Sequence, residues 1–274
     1  MSDFIREIEE ILQRRSQLEL EIKCMGTFEG YLNGELIPPK VWGRDKTVQL
    51  FQFMITARHR RALHKEQIIA RLWEDADGEG GDRDFKVALH GINKALEPNR
   101  KSRSEAKYVI RQGLTYQLNF DAIWIDAEAM ERFIAIGNAT MNSDPTTAKR
   151  AFYEAIELHH GVYLPNRMYE DWTSEERERL QLLSLGAYIS LAELILTENP
   201  QECIRLCQEA LIIDHSWEDA YRIQMKAYMS KGNRPQAIKT FEKCRAVLDD
   251  EFGIDPLPQT KAVIQDILGV GKQG

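Results

Sequence analysis

Seven residues, Arg83, Lys86, Val87, His90, Gly91, Asn93 and Lys94, fall on one side of a helical wheel drawn from Asp82 to the residue before Pro98. Their chemistry suits a DNA groove. Lys and Arg pair with phosphates, an Asn amide can meet both hydrogen-bonding groups of an adenine edge, a Val methyl touches thymine, and Gly lets backbone come close. A solvated amphipathic helix shows the same pattern, because exposed helix faces are normally charged. The spacing predicts the helix itself. Asp82 has the side chain of an N-cap, and Pro98 forbids continuation past Glu97. Phe85, Leu89, Ile92 and Leu96, flanked by Ala88 and Ala95, form a stripe that must pack on a core.

The next residues favour the DNA reading. Arg100, Lys101, Arg103 and Lys107 face only Glu105 in charge, and the β-rich runs 107–110 and 114–118 surround Arg111, Gln112 and Gly113. This predicts a hairpin with Gly in its turn. A helix, a basic turn and a hairpin are the order of a recognition helix and its wing.

Other elements must hold that helix in place. Phe4, Ile5, Ile8, Ile11 and Leu12 recur at helical spacing, predicting an amphipathic helix over residues 2–17 that docks on its own chain, a second copy or a partner. Residues 20–28 and 31–37 alternate around Gly26, Gly30 and Asn33-Gly34, predicting short antiparallel strands that Pro38-Pro39 ends. Thr47, Val48, Leu50, Phe51, Phe53, Met54 and Ile55 predict a buried helix closed by Arg58, His59, Arg60 and Arg61. That basic cluster reads equally as a phosphate clamp or as a helix end complementing the macrodipole. Residues 65–74 predict a second helix with Ile68, Ile69, Leu72 and Trp73 inward, and the acidic, Gly-rich 74–81 a mobile loop.

Composition sets the bounds. A chain of 274 residues, 43% hydrophobic and 29% charged, is long enough for two domains with real cores. No apolar run approaches the ~20 residues needed to span a bilayer, and the start is amphipathic and acidic, so a cytoplasmic protein with no membrane partner is expected. Cys24, Cys203, Cys207 and Cys244 have no metal-ligand spacing and read as reduced core thiols, while His159-His160 lacks a third ligand. No metal or cofactor is expected. An enzyme is not expected either. There is no Gly-rich phosphate loop, no HExxH and no nucleophile with a base partner, and Glu170-Asp171 and Glu175-Glu176 sit on charged helix faces. The net charge of −7 divides unevenly: −2 over residues 1–19, +4 over 20–120 and −9 over 121–274. Only the middle segment suits phosphates.

A period of 34 residues appears late in the chain. Ile204, Cys207, Ala210 and Ile213 precede Ile238, Phe241, Cys244 and Val247 by that interval, which is the tetratricopeptide repeat. Tyr221, Tyr228, Gly232 and Ala237 fill its small and aromatic slots, and Ala148, Phe152 and Ala155 resemble an earlier, weaker copy. Each helix pair leaves an apolar face that only its neighbour covers, so a stacked domain is expected. The fold class is therefore mostly α with a small antiparallel β component: a winged helix-turn-helix plus an α-helical tetratricopeptide-like repeat domain. The expected divisions are 1–19, 20–120 and 121–274.

The leucine, isoleucine and tryptophan spacing Leu63, Ile68, Ile69, Leu72, Trp73, with INKAL at 92–96 and Gly113 to Tyr116 in the wing, resembles the response-regulator-type winged helix of bacterial transcription factors. Further on, GVYLP at 161–165, YEDW at 169–172, ERERL at 176–180 and DEFGIDP at 250–256 resemble the bacterial transcriptional activator domain. Together, over about residues 20–268, the chain resembles activators of the antibiotic-regulatory-protein type. The resemblance implies a sequence-specific DNA-binding regulator, an activator that binds promoter repeats in double-stranded DNA, often as a dimer, and contacts RNA polymerase through residues 74–81. It places Lys86, His90, Asn93 and Lys94 toward DNA, with the Arg111–Gly113 turn near the minor groove. Lys86 and Asn93 are expected on base edges, with Arg83 and Val87 beside them, and Arg44, Lys46, Arg60, Arg100 and Lys101 on the backbone. Where this chain has Gly91, Asn93 and Gln112 the family commonly has Arg. That loss favours an alternative: a protein-interaction adaptor whose winged helix no longer reads DNA and whose repeats and residues 1–19 bind a homodimer partner or another protein.

Overall fold

The computed structural model describes residues 3–59, 62–101 and 104–269. The protein is mostly α-helical with a small β component, and it forms two compact units: residues 9–129 with 160–180, and residues 1–8 with 130–159 and 181–274. In chain order, α1 (Asp3–Gln17) leads to β1 (Leu20–Lys23), β2 (Glu29–Leu32), β3 (Glu35–Leu36), α2 (Pro39–Trp42) and α3 (Asp45–Thr56). Next come β4 (Leu63–His64), α4 (Lys65–Leu72), α5 (Gly78–Leu96), the hairpin β5 (Val109–Gln112) and β6 (Thr115–Leu118), and β7 (Ile123–Ile125).

In the first unit, β1, β2 and β3 form an antiparallel meander in which Tyr31 faces Leu36 across the second turn. Asn33 and Gly34 make that turn with φ of 53° and 80°, the paired positive values a two-residue hairpin demands of its twist. Strand β7 adds to the other side of β1 in parallel, Leu20 opposite Ile123. Its successor Asp126 is fully buried, and its carboxylate accepts the backbone amides of Cys24 and Met25 at 2.9 Å and of Ala127 at 2.7 Å. A second sheet, ordered β4-β6-β5, carries the hairpin.

Helix α3 lies behind α5. Leu50, Phe51, Met54 and Ile55 of α3 are buried, as are Phe85, Ala88, Ile92, Ala95 and Leu96 of α5. A Cβ on Gly91 would lie 2.7 Å from Thr47 Oγ1 and 2.8 Å from Thr47 Cγ2. Gly91, which the helical wheel assigns to the outer face, thus lies against Thr47 of α3. The wheel misplaces it because a glycine carries no hydropathy signal of its own.

The start of α5 also differs from expectation. Asp77, not Asp82, caps it, its carboxylate accepting the Gly80 amide at 2.6 Å, so residues 78–81 form the first helical turn and not a loop. Glycines there do lower helix propensity, but Gly81 lies against Ile69 of α4, where a Cβ would come within 2.6 Å of the Ile69 Cγ2. Close packing outweighs local preference.

Residues 160–180 grip α3 from its far side. Arg167 donates to Asp45 at 2.9 and 2.5 Å and to Gln52 at 2.8 Å. Gln49 donates to Glu170 at 2.8 Å, and Phe53 meets Trp172 edge to face. Arg58, one of the clustered cations after α3, is buried and pairs with Glu176. Burial opposes ionisation of Glu176, yet bonds from Arg179 and Arg58 hold its carboxyl below the usual range. Arg58 is therefore spent inside the protein and offers nothing to a phosphate. Arg60, Arg61 and Arg103 lie outside the described residues.

The second unit contains α7 (Pro145–Glu157), α9 (Pro200–Ile213), α10 (Glu218–Ser230), α11 (Arg234–Phe252) and α12 (Pro258–Leu268), with most of α6 (Asp126–Thr140) and α8 (Asp171–Ile195). Asp144, Asn199 and Asn233 each accept the amide three residues on, with Pro in the first turn that follows. Such a cap is worth about 1 kcal/mol. Tyr221, Cys244 and Leu248 form one core and Met225, Ala237, Ile264 and Ile267 another, and of the residues in the 34-residue period Ile204, Cys207, Ala210 and Cys244 are buried. In α1, Ile8 and Ile11 are buried in the chain itself, so the helix docks on its own chain, with Phe4 (39% exposed) an outward apolar residue.

Gly91→Ala tests the α3–α5 approach. Thr47 is buried and β-branched, so rotating χ1 cannot clear both of its γ atoms. The substitution should lower the urea midpoint by the equivalent of about 1–3 kcal/mol. In a Thr47→Ala background it should become neutral or stabilising, because alanine then contributes only its ~1 kcal/mol helix-propensity advantage over glycine.

Candidate nucleic-acid interface

Two depressions mark the exposed side of α5. The first, about 730 Å³ and open to solvent, follows its N-terminal half past Asp82, Arg83, Lys86, Val87 and His90. The second, about 380 Å³, lies where α5 meets the hairpin and is lined by Lys65, Lys86, Leu89, His90, Asn93, Arg111, Leu114 and Tyr116. Five sequence-derived site residues on α5, Arg83, Lys86, Val87, His90 and Asn93, thus share one surface with Arg111 of the hairpin. Lys94 is exposed on the same helix.

The hairpin is fixed to the helices by backbone. Leu63 pairs with Tyr116, His64 with Thr115, and the Lys65 amide donates to the Leu114 carbonyl at 2.8 Å. Tyr116 is buried edge to face against Phe85, with ring centroids 4.9 Å apart. The turn is Gly113-Leu114, one step later than the sequence suggests, because Gln112 pairs with Thr115. Arg111 and Gln112 are consequently strand residues. The Arg111 Nε donates to the Gly113 carbonyl at 2.9 Å, and its guanidinium lies over the Tyr116 ring.

Asp82 is the electrostatic centre of this surface. One carboxylate oxygen takes the Lys65 ammonium, and the other takes that of Lys86 at 2.5 Å. Those two lysines, Lys65 first, depress its carboxyl to about 2. Arg83 leans on Asp84 at 3.3 Å. Val87 stands 43% exposed between them. Asn93 differs from its neighbours: its Oδ1 is buried and has no hydrogen-bond partner among the described residues. An acceptor left so costs about 1–3 kcal/mol relative to a satisfied one.

The remaining sequence-derived residues are dispersed. Arg44 is exposed at the start of α3, with no side-chain cap bond. Lys46 donates to the Leu72 carbonyl at 2.5 Å and lies over the Trp73 ring, so it ties α3 to the end of α4. Arg100 is 4.0 Å from Glu97, and Lys101 is exposed, its carbonyl accepting the Ser104 amide. The surface also holds Lys65, Leu89 and Tyr116, which sequence reasoning passes over as framework. Only the 63–64 to 115–116 pairing reveals Lys65, and no local signal announces so short a strand.

The bacterial transcriptional activator domain family matches residues 125–268 of this chain. Comparison with curated protein sequences found no match. Among solved structures, the chain is similar in fold to Mycobacterium tuberculosis EmbR, determined in complex with a low-affinity phosphopeptide, with a TM-score of 0.76 at 16% identity. That likeness covers 94% of this chain and 67% of the other.

The Asp82 cluster has a pH signature. A carboxyl lowered from 3.8 to about 2 contributes stability that is fully present above its unfolded value and lost as pH falls through the folded one. Asp82→Asn should therefore flatten the acid limb of melting temperature against pH between about 4 and 2. A limb as steep as wild type's would show that the two lysines do not stabilise the ionised form.

Proposed function

The chain belongs to the bacterial transcriptional activator domain family, and we propose that it regulates transcription by binding double-stranded DNA through α5 and the β5–β6 hairpin. Residues 20–120 act as the DNA-reading part and 121–274 as the part that joins protomers or senses a partner. The observation that carries this reading is the surface shared by Lys86, His90 and Asn93 of the helix and Arg111 of the hairpin. Asn93 is the specific element: it lines the depression, a turn of its amide would bring the now-buried oxygen outward, and a bidentate amide–adenine pair discriminates by about 1–3 kcal/mol.

Phosphate contacts supply the salt-dependent remainder of the affinity. Arg44, Lys94, Arg100 and Lys101 are exposed and suited to it, whereas Lys46 and Arg58 are engaged elsewhere. In this reading the acidic residues Glu74, Asp75, Asp77 and Glu79, before and within the first turn of α5, lie toward RNA polymerase at repeated promoter sites. The adaptor reading keeps one specific support: Asp82 neutralises Lys65 and Lys86, and Asp84 engages Arg83, so the helix face is less cationic than its composition.

Anisotropy of labelled promoter fragments, including the chain's own upstream region, separates the two when titrated at several salt concentrations against unrelated DNA. Lys86→Glu with Lys94→Glu should weaken specific binding by at least ~10-fold, as loss of contacts worth 1–3 kcal/mol each requires, while the circular dichroism melt is kept. Asp82→Asn should do the reverse, raising affinity and steepening its salt dependence by about one ion per freed phosphate contact. Unaltered binding in the double Glu variant, or no sequence preference at all, would leave the adaptor.

A further inference from the structure

The helical unit carries a groove that the DNA reading does not use. It is about 300 Å³, opens between α9, α10 and α11, and no Asp or Glu lines it. This is unexpected in a segment, 121–274, with 16 basic and 25 acidic side chains. On its α11 wall Lys239 and Lys243 are both exposed and stand one helical turn apart, so they present two ammonium groups in register. On the α9 wall Leu211 and Ile212 form an apolar strip, with Ile212 78% exposed.

Gln224 of α10 also lines the groove. It is only 6% exposed, and its amide makes no hydrogen bond among the described residues. The amide opens into the groove. An amide has one acceptor and two donors, the complement of a peptide group.

We propose that this groove binds an acidic peptide segment of a partner protein. Its carboxylates sit on Lys239 and Lys243, a backbone peptide group pairs with Gln224, and an aliphatic side chain lies on Leu211 and Ile212. A free small anion would use the lysines and leave the apolar strip uncovered; a purely apolar ligand would leave both cations and Gln224 unused. The site stands on the helical unit alone and does not depend on how α5 is used.

The test uses the full chain and an array of fluorescent twelve-residue peptides built from Asp, Glu, Leu, Ile and Gly. Matched arrays replace the acids by Lys or the aliphatic residues by Gly. Peptides with both acids and aliphatic residues should be retained, with affinity falling as salt rises, and both controls should fail. Lys239→Glu with Lys243→Glu should reduce that affinity at least tenfold. Gln224→Leu should reduce it severalfold. The lysine pair decides the matter should Gln224→Leu lower the melting temperature, because both lysines lie on the surface. Promoter anisotropy of the lysine variant, run in parallel, should match wild type, so failure of this site and failure of the DNA reading give different results. No retained peptide, equal retention of peptides without aliphatic residues, displacement by equimolar glutarate, or unchanged affinity in the lysine variant would each overturn the assignment.

Discussion

Helix α5 is supported from behind by its approach to α3 at Gly91 and Thr47. Removing one Cβ lets the two backbones come close enough for Phe85, Ala88, Ile92 and Ala95 to be buried. The other side of α3 is engaged just as fully. Arg167, Glu170, Trp172 and Glu176, all within the stretch that matches the activator-domain family, hold Asp45, Gln49, Phe53 and Arg58. One twelve-residue helix thus connects a family-specific segment to the back of α5. Losing Glu176 would strand the buried Arg58 charge, at a cost of about 3–5 kcal/mol, whereas Glu176 without Arg58 keeps Arg179. Such a site favours rigid positioning over adaptability.

The outward face of α5 is governed by compensation. Asp82 takes both Lys65 of α4 and Lys86, and Asp84 takes Arg83, so the net field of this surface is weaker than a count of its cations suggests. Exchange of carboxylate for phosphate around the same ammonium groups costs some of the pairing already present. The oxygen of Asn93 differs from these groups, being buried and without a hydrogen-bond partner among the described residues. The arginine-to-glycine difference at Gly91 has a separate cause, since no side chain fits between α5 and Thr47.

Periodic features of the chain were legible in advance. The apolar stripe of α5, the Asn33-Gly34 turn, the hairpin and the 34-residue repeat all follow from local rules that tertiary structure left intact. Residues whose role is set by a distant neighbour were not legible. Asp77 and Asp82 are both plausible caps, and the choice between them rests on Ile69 meeting Gly81. Arg58 sits in a run of cations and reads as surface until Glu176, more than a hundred residues away, arrives beside it. Lys46 looks like a phosphate ligand but closes the end of α4. On the site surface, sequence placed α5 and Arg111 together, whereas Lys65 and the restraint by Asp82 required the fold.

The parallel pairing of β1 with β7 has a practical meaning for dissecting the protein. Strand β1 is an interior strand because residues 123–125 return to it, and the amides of Cys24 and Met25 at its end donate to Asp126. A fragment that stops at residue 120 would expose a row of unpaired backbone groups bounded by the apolar side chains Leu20 and Ile22, the template on which a second molecule adds a strand. Self-association of such a fragment would report a cut sheet edge and say nothing about the native oligomer. A fragment meant to keep this sheet intact needs to extend through Asp126.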